Sequence, residues 1–165
     1  MDYEETFSPI VKPATVRIIL ALAVQFNWSL KQLDVSNAFL HGVLQEEVFM
    51  SQPPSYVDPD HPELVCKLHK AIYGLKQAPR AWFDSFISQL YHIGFQASSA
   101  DSNLFILHQG SFVVYLLLYV DDIIITGNSV PFIDHLVSRL AVVFDLKDLG
   151  PLAYFIGIQD RKSFV

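Results

Sequence analysis

Apolar positions along this chain follow two periods, and the switches between them outline its elements. Residues 13–26 are apolar apart from Thr15, Arg17 and Gln25, with proline in the first turn, and predict a mostly buried helix. Leu30, Leu33 and Val35 mark a strand over 30–35, and residues 37–47 predict a short helix. Residues 51–63 carry four prolines and predict a loop. Trp82, Phe83, Phe86, Ile87, Leu90 and Tyr91 recur at helical spacing over 79–93, and Gly94 sits at the C-cap position. That aromatic stripe reads as core packing. Residues 103–108 and 111–120 form a hairpin pattern around Gln109-Gly110. A second reversal at Val120-Asp121-Asp122 leads to a strand over 123–127, ended by Gly127-Asn128. Ile133, Leu136, Val137, Leu140 and Phe144 share one face of a helix over 131–144. Gly150-Pro151 then breaks the chain before a final strand near 152–158.

Strands separated by helices in this order predict an α+β fold, with a mainly antiparallel sheet and helices packed on one face. The strand ending at Asp34 and the strand ending at Asp121 are expected side by side. A length of 165 residues bounds the chain to one domain, and 52% hydrophobic residues supply ample core. No internal repeat or low-complexity tract interrupts it.

One detail of the pattern carries chemistry. Asp121 and Asp122 stand between the uncharged, mostly apolar run 113–120 and three isoleucines. An unpaired carboxylate in such a setting costs several kcal/mol or more, and two like charges compound the cost. A divalent cation is the most economical remedy. A tight turn brings both carboxylates near one place, and Asp34, at the end of its own strand, is a third candidate. Three carboxylates at neighbouring strand ends can hold two Mg²⁺ ions and share them with substrate phosphates. Aspartates are also common at turns for local reasons, and Asp34 taken alone fits that reading.

Charge and cysteine content narrow the setting. The net charge of −6 and a pI near 5.3 argue against a free-standing nucleic-acid binder. Between Glu63 and Asp84 the only charged residues are Lys67, Lys70, Lys76 and Arg80, apart from histidine. Alone, that stretch reads as a solvated loop and helix start. Cys66 is the single cysteine, so no disulfide framework exists and a reducing, intracellular setting is expected. Met-Asp-Tyr-Glu-Glu at the N-terminus lacks a signal-peptide pattern, and the 112–126 run is too short to span a bilayer. The six histidines make no zinc spacing with cysteine.

The motifs, taken in order, resemble a known family. Tyr119-Val120-Asp121-Asp122 between apolar strands resembles the catalytic hairpin of reverse transcriptases. Leu33-Asp34-Val35-Ser36-Asn37-Ala38-Phe39-Leu40 is similar to the first catalytic motif of that family. Residues 71–82, Ala-Ile-Tyr-Gly-Leu-Lys-Gln-Ala-Pro-Arg-Ala-Trp, resemble the template and nucleotide motif of the copia-type retrotransposon branch. Residues 144–150 and 152–158 resemble the two motifs that follow. The resemblance covers nearly all of 3–159.

It implies a palm-like antiparallel sheet with partial fingers, and an RNA-directed DNA polymerase. Asp34, Asp121 and Asp122 would be the catalytic, metal-binding triad, with the Val35 carbonyl as an extra ligand. The cofactor would be two Mg²⁺ ions, with Mn²⁺ as an alternative. The backbone N–H groups of Asn37 and Ala38 would face the incoming triphosphate. Phe39 would be the steric gate against a ribose 2′-OH, although composition alone makes it a core aromatic. Gln77 would contact the nucleotide. Lys76 and Arg80 would lie beside phosphates, and Tyr119 near the primer end. Lys147 would donate a proton to pyrophosphate, or equally be surface decoration. Phe155, Ile156 and Gly157 resemble the start of the primer grip, with a plain core strand as an equal reading.

The partners implied are an RNA or DNA template with its primer, deoxynucleoside triphosphates and other chains of the same polyprotein, and no membrane. The setting implied is intracellular, in a cytoplasmic virus-like particle or the nucleus. Residues 1–165 are expected to be a single domain fragment, palm plus partial fingers. The N-terminal fingers strands, thumb, connection and ribonuclease H would lie outside it. The alternative is a transposon-derived remnant or binding module without turnover of its own.

Overall fold

In a computed structural model the chain is described over residues 10–152, with the backbone of 154–155 and 158–159. Its helices are α1 (Pro13–Gln25), α2 (Ala78–Ile93) and α3 (Val130–Val143). The strands are β1 (Leu30–Val35), β2 (Val43–Ser51), β3 (Val65–Lys70), β4 (Gln96–Ala97), β5 (Leu104–Gln109), β6 (Phe112–Tyr119), β7 (Asp122–Gly127), β8 (Leu146–Pro151), β9 (Tyr154–Phe155) and β10 (Ile158–Gln159). Six strands form one sheet in the order β4-β5-β6-β7-β1-β8, and every neighbouring pair is antiparallel. β2 and β3 make a separate two-stranded ribbon. The α+β class and the antiparallel sheet are as expected.

The central strands explain why residues 116–118 and 123–125 are apolar without alternation. Alternate residues of a strand face opposite sides of its sheet. Leu116, Leu118, Ile123 and Ile125 join one core with Trp82 and Phe86 of α2 and with Ile133, Leu136 and Leu140 of α3. Leu117 and Ile124 join a second core with Val16 and Ile19 of α1. The sheet is therefore covered on both faces, α2 and α3 on one side and α1 on the other. This corrects the expectation of helices on one face only: a strand buried on both sides cannot alternate with polar residues. Each Leu or Ile fully buried there contributes roughly 1.5–3 kcal/mol, so these strands are the rigid base of the fold.

α2 ends where its sequence predicts. Gly94 takes φ 114° and its N–H donates to the carbonyls of Leu90 and Tyr91. α3 starts from Ser129, whose hydroxyl accepts from the Phe132 N–H.

Three expectations need correction. Residues 37–47 are not a helix: a single 3-10 turn, Ala38–His41, gives way at Gly42 to β2, whose partner is β3. β3 lies inside the basic stretch read as a loop and helix start. No strand is expected over 146–151, yet β8 forms there and Gly150-Pro151 closes it. In each case pairing with a distant strand outweighs the local pattern. Residues 153, 156 and 157 of the expected final strand lie outside the described residues, and β9 and β10 pair with each other.

Candidate active site

The register of four strands assembles the site. Tyr119 of β6 is opposite Asp122 of β7, Asp122 is opposite Asp34 of β1, and Asp34 is opposite Lys147 of β8. Cross-strand partners share a face. Leu118, Ile123, Leu33 and Val35 turn into the α2–α3 core, so this row of four lies on the α1 side of the sheet. The expected adjacency needs one correction: β1 is flanked by the strand that begins at Asp122, whereas the strand that precedes Asp121 is one place further out.

The turn between β6 and β7 is tight and strained. Val120 takes φ 56°, the left-handed region that a β-branched side chain rarely enters. Both carbonyls of the turn are held. The indole N–H of Trp82, in α2, donates to the Val120 carbonyl at 2.7 Å. The Val35 N–H, in β1, donates to the Asp121 carbonyl at 3.0 Å.

Asp122 is the carboxylate that its neighbours perturb. Asp122 is half-buried and Asp121 exposed. Burial pushes the Asp122 carboxyl above the ordinary carboxylate range, and repulsion from Asp121 and Asp34 adds to the rise, while a side-chain hydrogen bond with Gln32 opposes it. Gln32 is two residues before Asp34 and therefore on the same face of β1. Among the described residues no three Asp, Glu, His or Cys side chains are gathered closely enough to enclose a metal ion. Magnesium does not need such a cage, because it binds through one or two carboxylates together with waters and substrate phosphates. The hard oxygen donors and the repulsion at Asp122, only partly offset by Gln32, fit that cation.

The remaining expected residues divide. Asn37 takes a left-handed φ of 52° and heads only the one-turn 3-10 segment, so its N–H and that of Ala38 lack the α-helix N-terminus expected for them. Phe39 is half-buried, with its ring 5.6 Å from the edge-on ring of Tyr73. Gly42, just beyond, lies so close to α2 that a Cβ there would meet the Trp82 backbone nitrogen at 2.7 Å. Gln77 and Arg80 line a cleft of about 650 Å³ with His41, Gln45, Lys70 and Phe144, and none of the three aspartates lines it. Lys76 precedes α2, and Lys147 is exposed. The side chain of Phe155, and Ile156 and Gly157 entirely, lie outside the described residues.

Sequence reasoning missed Gln32, which had a signal in the two-residue period shared with Asp34. Tyr73 and Trp82 fall within the 71–82 motif, but their individual contacts, with Phe39 and with the Val120 carbonyl, are set by the tertiary fold.

Comparison with known proteins bears on these motifs. Residues 1–163 match the family model described as reverse transcriptase (RNA-dependent DNA polymerase). The chain is 49% identical over 162 residues to the retrovirus-related Pol polyprotein from transposon RE2 of Arabidopsis thaliana, covering 98% of this chain and 11% of that protein. It is 40% identical over 168 residues to the retrovirus-related Pol polyprotein from transposon TNT 1-94 of Nicotiana tabacum, covering 99% of this chain and 13% of that protein. The chain thus spans about a tenth of the length of these polyproteins. No solved structure matches it. Among the described residues no helix is long and apolar enough to cross a membrane.

Proposed function

This chain belongs to the reverse transcriptase (RNA-dependent DNA polymerase) family, in its copia-type retrotransposon branch, and on that premise we propose that it carries the polymerase centre. The observation that supports this reading most is the cross-strand row Tyr119–Asp122–Asp34–Lys147 beside the held turn at Val120. In our assignment the six-stranded sheet is the palm and the β2–β3 ribbon is part of the fingers.

The reaction is nucleotidyl transfer. The 3′-oxygen of a primer forms a bond to the α-phosphorus of a deoxynucleoside triphosphate. The bond from that phosphorus to the bridging oxygen breaks, the 3′-hydroxyl gives its proton to water, and pyrophosphate departs. The template is RNA or DNA. Asp34, Asp121 and Asp122, with the Val35 carbonyl, would hold two Mg²⁺ ions, or Mn²⁺. When bound, the metal supplies charge neutralisation for the attacking and leaving oxygens.

The chain's own residues do the rest. Asp122 and Asp34 fix acceptor oxygens on adjacent strands. Lys147, through Nζ, gives a proton to the departing pyrophosphate. Tyr119 lies along the primer end, and Phe39, backed by Tyr73, closes the space a 2′-hydroxyl would need. Asn37 and Ala38 face the triphosphate, Gln77 the nucleotide, and Lys76 and Arg80 the nucleic-acid phosphates. Phe155, Ile156 and Gly157 belong to the primer grip. In its cellular setting the domain acts with other chains of the same polyprotein, inside a virus-like particle or the nucleus.

The test is extension of a DNA primer on a defined RNA template with Mg²⁺ or Mn²⁺, beside Asp121→Asn. Metal-dependent extension that disappears in the variant is expected. No extension under either metal would remove independent catalysis and leave a non-catalytic, transposon-derived module.

A further inference from the structure

The Trp82 indole is tied to the turn rather than merely packed beneath it. It is 2% exposed and wedged among Phe86, Phe144 and His41, with ring centroids 5.1, 5.4 and 6.1 Å away. Gly42 abuts its backbone nitrogen, which leaves the first turns of α2 little room to shift. A tryptophan N–H can only donate, and a buried one needs an acceptor. The acceptor here is the carbonyl of Val120, the residue at the left-handed position of the turn. The next carbonyl, of Asp121, is held by the N–H of Val35, one residue after Asp34. The tip is therefore suspended between α2 and the strand that carries Asp34. Phenylalanine keeps an aromatic ring in this pocket but lacks the donor and leaves part of the indole's volume empty.

We propose that Trp82 is a positioning residue of the polymerase centre: its indole N–H holds Val120 in the left-handed conformation that sets Asp121 and Asp122 beside Asp34. The proposal rests on the polymerase reading for its consequence in catalysis, but its structural half stands on this geometry alone.

Trp82→Phe in the full chain separates the two. Amide hydrogen exchange is the first readout. The Val35 amide, whose acceptor is the Asp121 carbonyl, is expected to exchange about tenfold faster, while the amides of β5 and β6 keep their rates. Single-turnover nucleotide incorporation is the second, with an expected fall of about tenfold at unchanged nucleotide KM. Adding Val120→Gly, which takes a positive φ without strain, is expected to restore part of that rate. An unchanged Val35 amide, or faster exchange spread evenly over the sheet, overturns the proposal. If the unsubstituted chain incorporates no nucleotide, the polymerase reading fails and the Val35 amide still decides the positioning. If Trp82→Phe does not fold, exchange of the indole N–H in the unsubstituted chain decides: protection equal to the β6 amides supports the tie, and rapid exchange overturns it.

Discussion

Lys147 stands directly opposite Asp34 on neighbouring antiparallel strands, on the face that also carries Asp122. A cation and two carboxylates are thereby placed in one line across the sheet. Lys147 is exposed, so its replacement removes little packing. Lys147→Ala should shift stability by no more than about 0.5 kcal/mol. If its ammonium protonates pyrophosphate, single-turnover incorporation should fall by about 10²-fold, with Lys147→Arg falling less. Equal rates for the alanine variant and the unsubstituted chain would make the lysine ordinary surface.

The raised pKa of Asp122 predicts a pH dependence for the metal-free protein. Burial comes first among the causes that raise its pKa, followed by repulsion from Asp121 and Asp34. A carboxyl raised in the native state costs stability when ionised. The cost is full above the native pKa and vanishes once pH falls below the unfolded value of about 3.9. Asp122→Asn should therefore stabilise the chelated protein at pH 7–8 and change little near pH 3. With solvent screening at this half-buried site, the gain is on the order of 0.5–1 kcal/mol, a rise in Tm of about 2–4 °C at most. Thermal melts in EDTA at the two pH values measure it. Added Mg²⁺ should raise the Tm of the unsubstituted chain more than that of the variant, and a variant that melts lower at neutral pH would contradict the argument.

Asp101 has the opposite sign. Burial works against its charge, but hydrogen bonds from the Lys12 N–H, the Thr15 hydroxyl and the Asn103 N–H more than offset this and hold its carboxyl below the ordinary range. These bonds tie the start of α1 to the loop before β5. The stability they supply is present above about pH 3.9 and is lost as pH falls through the lower native pKa. Asp101→Ala strips the acceptor from three donors and should cost about 2–3 kcal/mol at pH 7. The difference from the unsubstituted chain should shrink in acid, and urea unfolding at pH 7 and pH 3 checks both halves.

Much of this was legible before any coordinates. Ordered apolar periods gave the three helices and the 104–127 hairpins to within a residue or two, because local pattern and tertiary burial agree there. They placed Asp34 beside the strand ending at Asp121, whereas its partner is Asp122 at the start of the next strand. Residues 37–47 suggest a helix because Leu40, Val43 and Leu44 carry a helix-like spacing. What decides that stretch is the left-handed Asn37 and the pairing with Val65–Lys70, a partner far along the chain. Asp101 gave no signal, since a carboxylate before Ser-Asn reads as a loop residue until Lys12 and Thr15 are brought to it. The Lys31 ammonium, drawn to Asp134 at 2.6 Å and to Asp148 at 3.2 Å, likewise needs three elements to be assembled first.

Gly42 seats the Ala38–His41 turn against α2. Its own φ and ψ, −67° and 123°, suit any residue, so flexibility is not what the position demands. Space is. A Cβ would meet backbone atoms of Trp82 and Ala81 at 2.7 and 2.9 Å, and backbone cannot swing aside as a side chain can. Gly42→Ala must push the Ala38–His41 turn away from α2, and Phe39 rides on that turn. The expected cost is about 1–3 kcal/mol of overpacking. Phe39→Ala makes a different change: it leaves the turn in place and removes only the ring that faces Tyr73. If Phe39 bars the 2′-hydroxyl, Phe39→Ala should incorporate ribonucleotides with a relative kcat/KM at least about tenfold higher than the unsubstituted chain. Gly42→Ala should relax the same discrimination only together with its loss in Tm. A Phe39→Ala variant that still rejects ribonucleotides would return that ring to the core.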